Sequence, residues 1–128
     1  MKRLQLVLGF LGGALLLLSA AAHSVLGWKG ISAELAKARV PSDLIQGLEM
    51  GWHFGGALTL AVGCIVILLF VSVAKGQPVS LRPVIVIALV YLGFGGWALV
   101  FSHMDPFCLI FIIPGLILLA ASWQPSSP

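Results

Sequence analysis

Three histidines and two carboxylates are the side chains of this sequence best suited to chemistry. His23, His53 and His103 each stand 20 to 22 residues from a basic residue at the far end of an apolar segment. At about 1.5 Å of helical rise per residue, each histidine would lie roughly 30–33 Å from that basic residue. The spacing therefore predicts that the three imidazoles lie at one depth. Glu49 shares a helix face with His53, four residues later, and Asp105 follows His103 by two.

Imidazole and carboxylate groups gathered at one level could hold a metal ion or a haem. The metal ligands on this interpretation are His23, Glu49, His53, His103 and Asp105, in a site for zinc, copper or iron. Two of the three histidines could instead ligate the iron of a haem b between helices. The alternative is structural, with these residues capping helix ends and meeting water at a membrane interface, where ionisable groups cost least. The spacing alone leaves these interpretations open.

The composition restricts the class of protein. Only 9% of the 128 residues are charged, against about 25% in soluble domains, and 60% are hydrophobic. Because so few charged groups cannot solvate a protein surface, we expect lipid to surround most of the chain. The net charge of +3 gives no reason to expect a nucleic acid as partner. No nucleotide-binding glycine loop or His-Glu-x-x-His motif is present, so no enzymatic activity is predicted.

Four apolar segments predict an all-α fold, a four-transmembrane-helix bundle in a single domain over residues 1–128. Crossing about 30 Å of hydrocarbon takes about 20 residues, and a helix satisfies its own backbone hydrogen bonds in lipid. The predicted helices cover about 4–26, 46–74, 82–102 and 106–123. A signal peptide cleaved after Ala22, leaving His23 as the N-terminus, is the alternative for the first segment. Its apolar stretch is longer than an ordinary signal core, which favours a retained helix.

The distribution of charge predicts the orientation in the membrane. Lys2, Arg3, Lys75 and Arg82 lie at one end without carboxylates, whereas Lys29, Lys37 and Arg39 share the other end with Glu34, Asp43, Glu49 and Asp105. Because cytoplasmic loops are enriched in Lys and Arg, we expect both termini in the cytoplasm. The first loop, about 28–40, then faces outward. Ile31, Leu35 and Ala38 recur in it at helical spacing and predict a short amphipathic helix.

Small residues recur at every fourth position along the second predicted helix. The ridge consists of Gly47, Gly51, Gly55, Thr59 and Gly63. Such ridges let helix backbones approach closely in lipid, where the hydrophobic effect does not drive helices together. One interpretation is packing within the four-helix bundle. The other is a docking face for another membrane protein or for a second copy of the chain.

Short motifs at the ends of the predicted helices carry a resemblance. Ala22-His23-Ser24-Val25-Leu26-Gly27 ends the first helix, Trp52-His53 lies in the second, and His103 with Pro106 precedes the fourth. In these motifs the chain resembles small four-helix bacterial inner-membrane proteins of uncharacterised function. The resemblance implies the four-helix topology, the bacterial cytoplasmic membrane and a shared role for the three histidine positions. Relatives would carry an acidic residue where this chain has Trp28, a departure that weakens a carboxylate-assisted metal site.

The function expected from the sequence is that of a non-enzymatic accessory, assembly or interaction subunit of a membrane. The expectation follows from the lack of a catalytic motif in an otherwise apolar chain. Two alternatives are a metal- or haem-binding membrane protein that uses the histidines at its outer face, and a small oligomeric channel or carrier.

Overall fold

The regular structure of this chain is entirely helical over residues 3–123, the part that the computed structural model describes. The predicted all-α fold class is therefore confirmed for that part of the chain. In chain order the elements are α1 (Arg3–Ala22), a π-helical segment (His23–Gly27), α2 (Trp28–Lys37), α3 (Ser42–Ala74), α4 (Arg82–Phe101), a 3₁₀ turn (Pro106–Cys108) and α5 (Leu109–Ser122).

Three helical segments are long and apolar enough to cross a membrane. They are Arg3–Lys37, Ser42–Ala74 and Arg82–Phe101. The fourth, Pro106–Ser122, is apolar but shorter, and its 3₁₀ and α residues together span about 27 Å against about 30 Å of hydrocarbon. These lengths and compositions indicate a membrane protein, while a fourth crossing stays a prediction.

The first helix extends beyond the segment predicted for it. It passes through the π-helical segment into α2 without a break, so residues 28–37 are helical and continuous with α1 instead of forming a separate loop. The chain turns only after Lys37. The Arg39 N–H donates to the Ala36 carbonyl at 3.1 Å and the Val40 N–H to the Leu35 carbonyl at 3.2 Å, with Arg39 left-handed at φ 55°. This pattern is a Schellman motif, which ends a helix by satisfying its last carbonyls.

Glycines in α1 bring its backbone against two neighbouring helices. A Cβ atom on Gly13 would lie 2.6 Å from Ile67 Cδ1 in α3, and one on Gly12 would lie 2.5 Å from Leu118 Cδ2 in α5. Both separations are shorter than real Cβ atoms show, so a side chain at either position would require Ile67 or Leu118 to shift. The order of packing is α3–α1–α5–α4, and each packed pair is antiparallel.

The antiparallel order gives the bundle two different ends. The start of α1, the end of α3 and the start of α4 meet at what we call the basic end, after Arg3, Lys75 and Arg82. The π-helical segment, α2 and the start of α3 lie at the other end, the histidine end. The buried core that all four long helices share lies in the half nearer the basic end, and it consists of Leu16, Val66, Phe70, Leu81, Val84, Ala88, Leu118 and Ala121.

Two adjacent glycines in α4 provide a direct test of this packing. A Cβ atom on Gly95 would lie 2.8 Å from Ile112 Cγ1 and 3.2 Å from the Ile112 backbone nitrogen, whereas nothing lies within 4 Å of one on Gly96. Gly95→Leu should therefore lower the free energy of unfolding by about 1–3 kcal/mol through overpacking. Gly96→Leu should be neutral or stabilising by up to about 1 kcal/mol, because leucine is the better helix former.

The measurement is reversible unfolding of the full chain in mixed detergent micelles with increasing dodecyl sulfate, followed by circular dichroism. Equal effects of the two leucine substitutions would contradict the close packing of α4 on α5.

Candidate functional site

A reciprocal pair of contacts joins His23 to Trp52 at the histidine end. The Trp52 Nε1–H donates to the His23 carbonyl oxygen at 2.7 Å, and His23 Nε2 lies 3.1 Å from the Trp52 carbonyl oxygen, to which it can donate. The two rings also stack, with centroids 4.2 Å apart and an angle of 7° between their planes. Both side chains are half-buried. Two hydrogen bonds and a stacking contact thus connect the first helix to α3.

The hydrogen bond from Trp52 meets the chain where α1 becomes irregular. The π-helical segment begins at His23, the residue whose carbonyl accepts the indole N–H. Single π-helical turns within longer helices are rare and frequently lie at functional sites. An irregular turn disturbs the regular ladder of carbonyl acceptors, and buried polar groups of the backbone require a partner. The Trp52 indole provides one for the His23 carbonyl.

A second layer of side chains surrounds this pair. The Trp28 ring lies 6.5 Å from the Trp52 ring and 6.2 Å from the His53 ring, centroid to centroid. His53 Nε2 lies 3.9 Å from Glu49 Oε1, one helical turn earlier, and each of these two side chains is nearly half exposed. The site is therefore a half-open cluster of four rings and one carboxylate. It has the amphipathic composition that is typical of a membrane–water interface.

His103 and Asp105 have structural roles in the loop between α4 and α5. His103 is left-handed at φ 54°, and the Met104 N–H donates to the Leu99 carbonyl at 2.8 Å, so His103 occupies the capping position of a Schellman motif at the end of α4. Asp105 Oδ1 accepts the Phe107 N–H at 2.8 Å and caps the 3₁₀ turn. Both side chains are exposed.

The structure does not gather the five predicted metal ligands. Among residues 3–123 no group of three or more His, Cys, Asp or Glu side chains is placed to hold a metal ion. Glu49 and His53 are adjacent, but His23 Nε2 contacts a backbone carbonyl, and His103 and Asp105 act in their own loop. The reason is angular, because equal depth along three helices does not make three side chains face one point. The cofactor interpretation for His23, His53 and His103 therefore gains no support from this arrangement.

The predicted glycine ridge divides into packed and open parts. Gly63 packs against Leu16 and Leu17 of α1, whereas Gly47 and Gly51 have nothing within 4 Å of an added Cβ. Gly55 lies beside His23, at 3.5 Å from Nε2 to an added Cβ, and its carbonyl accepts the Thr59 hydroxyl at 3.0 Å.

The sequence interpretation missed Gly56, which is buried against Ser24 and the Ala20 carbonyl oxygen of α1. The recurrence of small residues at Gly56 and Gly63, seven residues apart, was the signal that could have identified it.

Comparison with known proteins gives no relative for this chain, since no protein-family model matches it and neither a curated protein nor a solved structure is significantly similar.

Trp52→Phe tests the contact between α3 and the π-helical segment. The substitution removes the indole donor and leaves the half-buried His23 carbonyl without this partner, so the free energy of unfolding should fall by about 1–3 kcal/mol. Amide hydrogen exchange over residues 23–28 should also become faster. Trp97→Phe is the control, because Trp97 is exposed and makes ring contacts with Phe94 and Phe101. If both variants lose the same stability, the loss comes from the smaller ring, and the hydrogen bond from Trp52 to the His23 carbonyl contributes nothing to it.

His103→Gly separates a capping role from a ligand role. Glycine adopts the left-handed conformation without the steric cost that histidine has there, which should stabilise the folded state by about 1–2 kcal/mol. The added conformational freedom of glycine in the unfolded chain costs about 0.5–1 kcal/mol. The variant should therefore be more stable than the wild type by about 0.5–1 kcal/mol in the same dodecyl sulfate titration. Arg39→Gly, at the equivalent position after α2, should behave alike. A large loss of stability in His103→Gly alone would show that the imidazole has an essential partner.

Proposed function

We propose that this chain is a non-enzymatic integral membrane protein that acts as an accessory, assembly or interaction subunit. In this proposal it crosses a bacterial cytoplasmic membrane four times with both termini in the cytoplasm, as the unopposed cations of the basic end favour. The bacterial membrane follows from the sequence resemblance. The partner is another membrane protein or a second copy, and it binds at the histidine end.

The lengths of the helices support a surface beyond the bilayer. The first helix, Arg3–Lys37, has 35 residues and α3 has 33, so they are about 52 and 50 Å long. Both exceed the roughly 30 Å of hydrocarbon by about 20 Å. A typical tilt of about 20° shortens their projection by only about 3 Å. Residues 28–53, which we call the helical hairpin, therefore extend past the end of the 20-residue α4.

The observation that carries the proposal is the exposure of large apolar side chains on this helical hairpin. Leu44, Leu48 and Met50 are 55%, 46% and 71% exposed. In the proposed placement they lie on the part of α3 beyond the hydrocarbon. In a lipid-facing segment such exposure is ordinary. Where the segment extends into water, an apolar patch marks an interaction site. The open glycines Gly47 and Gly51 on the same stretch would allow a partner helix to approach closely.

The experiment is site-specific photocrosslinking in native membranes. A benzoylphenylalanine in place of Leu44 or Leu48 should give a discrete protein adduct that mass spectrometry identifies as one partner or as a second copy. The same group in place of Val90, which is 62% exposed in the middle of α4, should react with lipid and give no protein adduct. Protein adducts from none of the three positions, or equally from all three, would contradict a partner at the helical hairpin.

A further inference from the structure

Among residues 3–123, the basic end of the bundle carries three exposed cations and no carboxylate side chain. Arg3 opens α1, Lys75 follows the last residue of α3, and Arg82 opens α4. The four carboxylates of the chain, Glu34, Asp43, Glu49 and Asp105, all belong to segments at the histidine end. The Lys37–Glu34 ion pair and the His53–Glu49 contact also lie there. Within the part of the chain that the structure describes, no carboxylate side chain neutralises the charge of the basic end.

These cations lie where phospholipid headgroups would be. Lys75 and Arg82 flank the apolar spans of α3 and α4, and Arg3 begins that of α1, so the three mark one boundary of the hydrocarbon. Trp123, at the end of α5, is 64% exposed at the same end, and exposed tryptophans favour the headgroup level. Long basic side chains at this level keep their methylene groups in the apolar layer and their charged groups in the headgroups.

Charge complementarity identifies the partner. A guanidinium group binds a phosphate through two parallel hydrogen bonds, and an ammonium group attracts it as a point charge. Cations at a membrane surface each favour anionic lipid by about fivefold. Zwitterionic lipids carry the same phosphate, but their own ammonium group offsets it. The surface thus fits a headgroup of net negative charge.

We propose that the basic end binds anionic phospholipids, such as phosphatidylglycerol or cardiolipin, through Arg3, Lys75 and Arg82. The inference is independent of a protein partner, because it concerns the end of the bundle opposite the helical hairpin. The lipids occupy the rim formed by α1, α3 and α4 and neutralise charge that no carboxylate side chain among residues 3–123 reaches.

Competition between two lipids tests this proposal. The full chain, in a mild non-ionic detergent, is mixed with equal amounts of phosphatidylglycerol and phosphatidylcholine, and the bound lipids are counted by native mass spectrometry. We expect phosphatidylglycerol to be enriched by tenfold or more, and added salt to lower the enrichment through screening. Millimolar inorganic phosphate should not displace it, since the acyl chains also bind.

A matched pair of triple variants assigns the lipid to this end. Arg3→Gln, Lys75→Gln, Arg82→Gln removes the three cations of the basic end, and the enrichment should fall to about twofold or less. The second triple variant removes three cations from the histidine end through Lys29→Gln, Lys37→Gln and Arg39→Gln. It should retain the phosphatidylglycerol enrichment. The charge-conserving Arg3→Lys, Arg82→Lys variant should also retain most of the phosphatidylglycerol enrichment. It serves as the second variant if the first triple variant does not fold.

Equal binding of the two lipids to the wild type would overturn the proposal. Equal losses of phosphatidylglycerol enrichment in both triple variants would overturn the proposal as well. The enrichment would then depend on the net charge of the protein and not on the position of the cations. Neither result bears on the crosslinks at the helical hairpin, so failure of this inference is distinguishable from failure of the proposed function.

Discussion

Close contact between the backbone of α1 and its two neighbours is the constraint on which the rest of the bundle depends. In lipid the hydrophobic effect does not drive helices together, so their association requires dense van der Waals contact. Gly13 admits Ile67 of α3 and Gly12 admits Leu118 of α5, on adjacent residues of one helix. Since α4 packs on α5, its position also depends on this contact. A side chain at either glycine would require Leu118 or Ile67 to shift and would disturb the contact that joins α1 to its neighbours.

The two ends of the bundle are stabilised by different interactions. Toward the basic end the helices share a core around Leu16, Phe70 and Leu118, which are fully buried. Toward the histidine end α1 and α3 are joined by the hydrogen bonds and ring stacking of His23 and Trp52. Hydrogen bonds and ring stacking of this kind persist in contact with water, whereas apolar packing depends only on side chains of complementary shape. The difference agrees with a bundle whose histidine end extends out of the hydrocarbon and whose other end remains at its boundary.

The three histidines illustrate how one residue type can serve separate purposes. The ring of His23 packs on Trp52, His103 supplies a left-handed cap, and His53 pairs with Glu49 on a half-exposed helix face. Each role is local and uses a different property: ring shape, backbone conformation and a polar ring nitrogen. The three histidines thus have structural roles. The surfaces that remain for other molecules are the exposed apolar residues of the helical hairpin and the cations of the basic end.

The sequence by itself determined the helices and the separation of charge. Length and hydropathy predict apolar helices because each satisfies its own hydrogen bonds, and the positions of Arg3, Lys75 and Arg82 follow from that division. The rise per residue also predicts the depth of each histidine. Only the tertiary structure decided which way the side chains face, since the angle around a helix axis depends on its neighbours. Gly56 is therefore packed while Gly47 and Gly51 are open, and the π-helical turn, stabilised by Trp52 from another helix, could not be read from its own five residues.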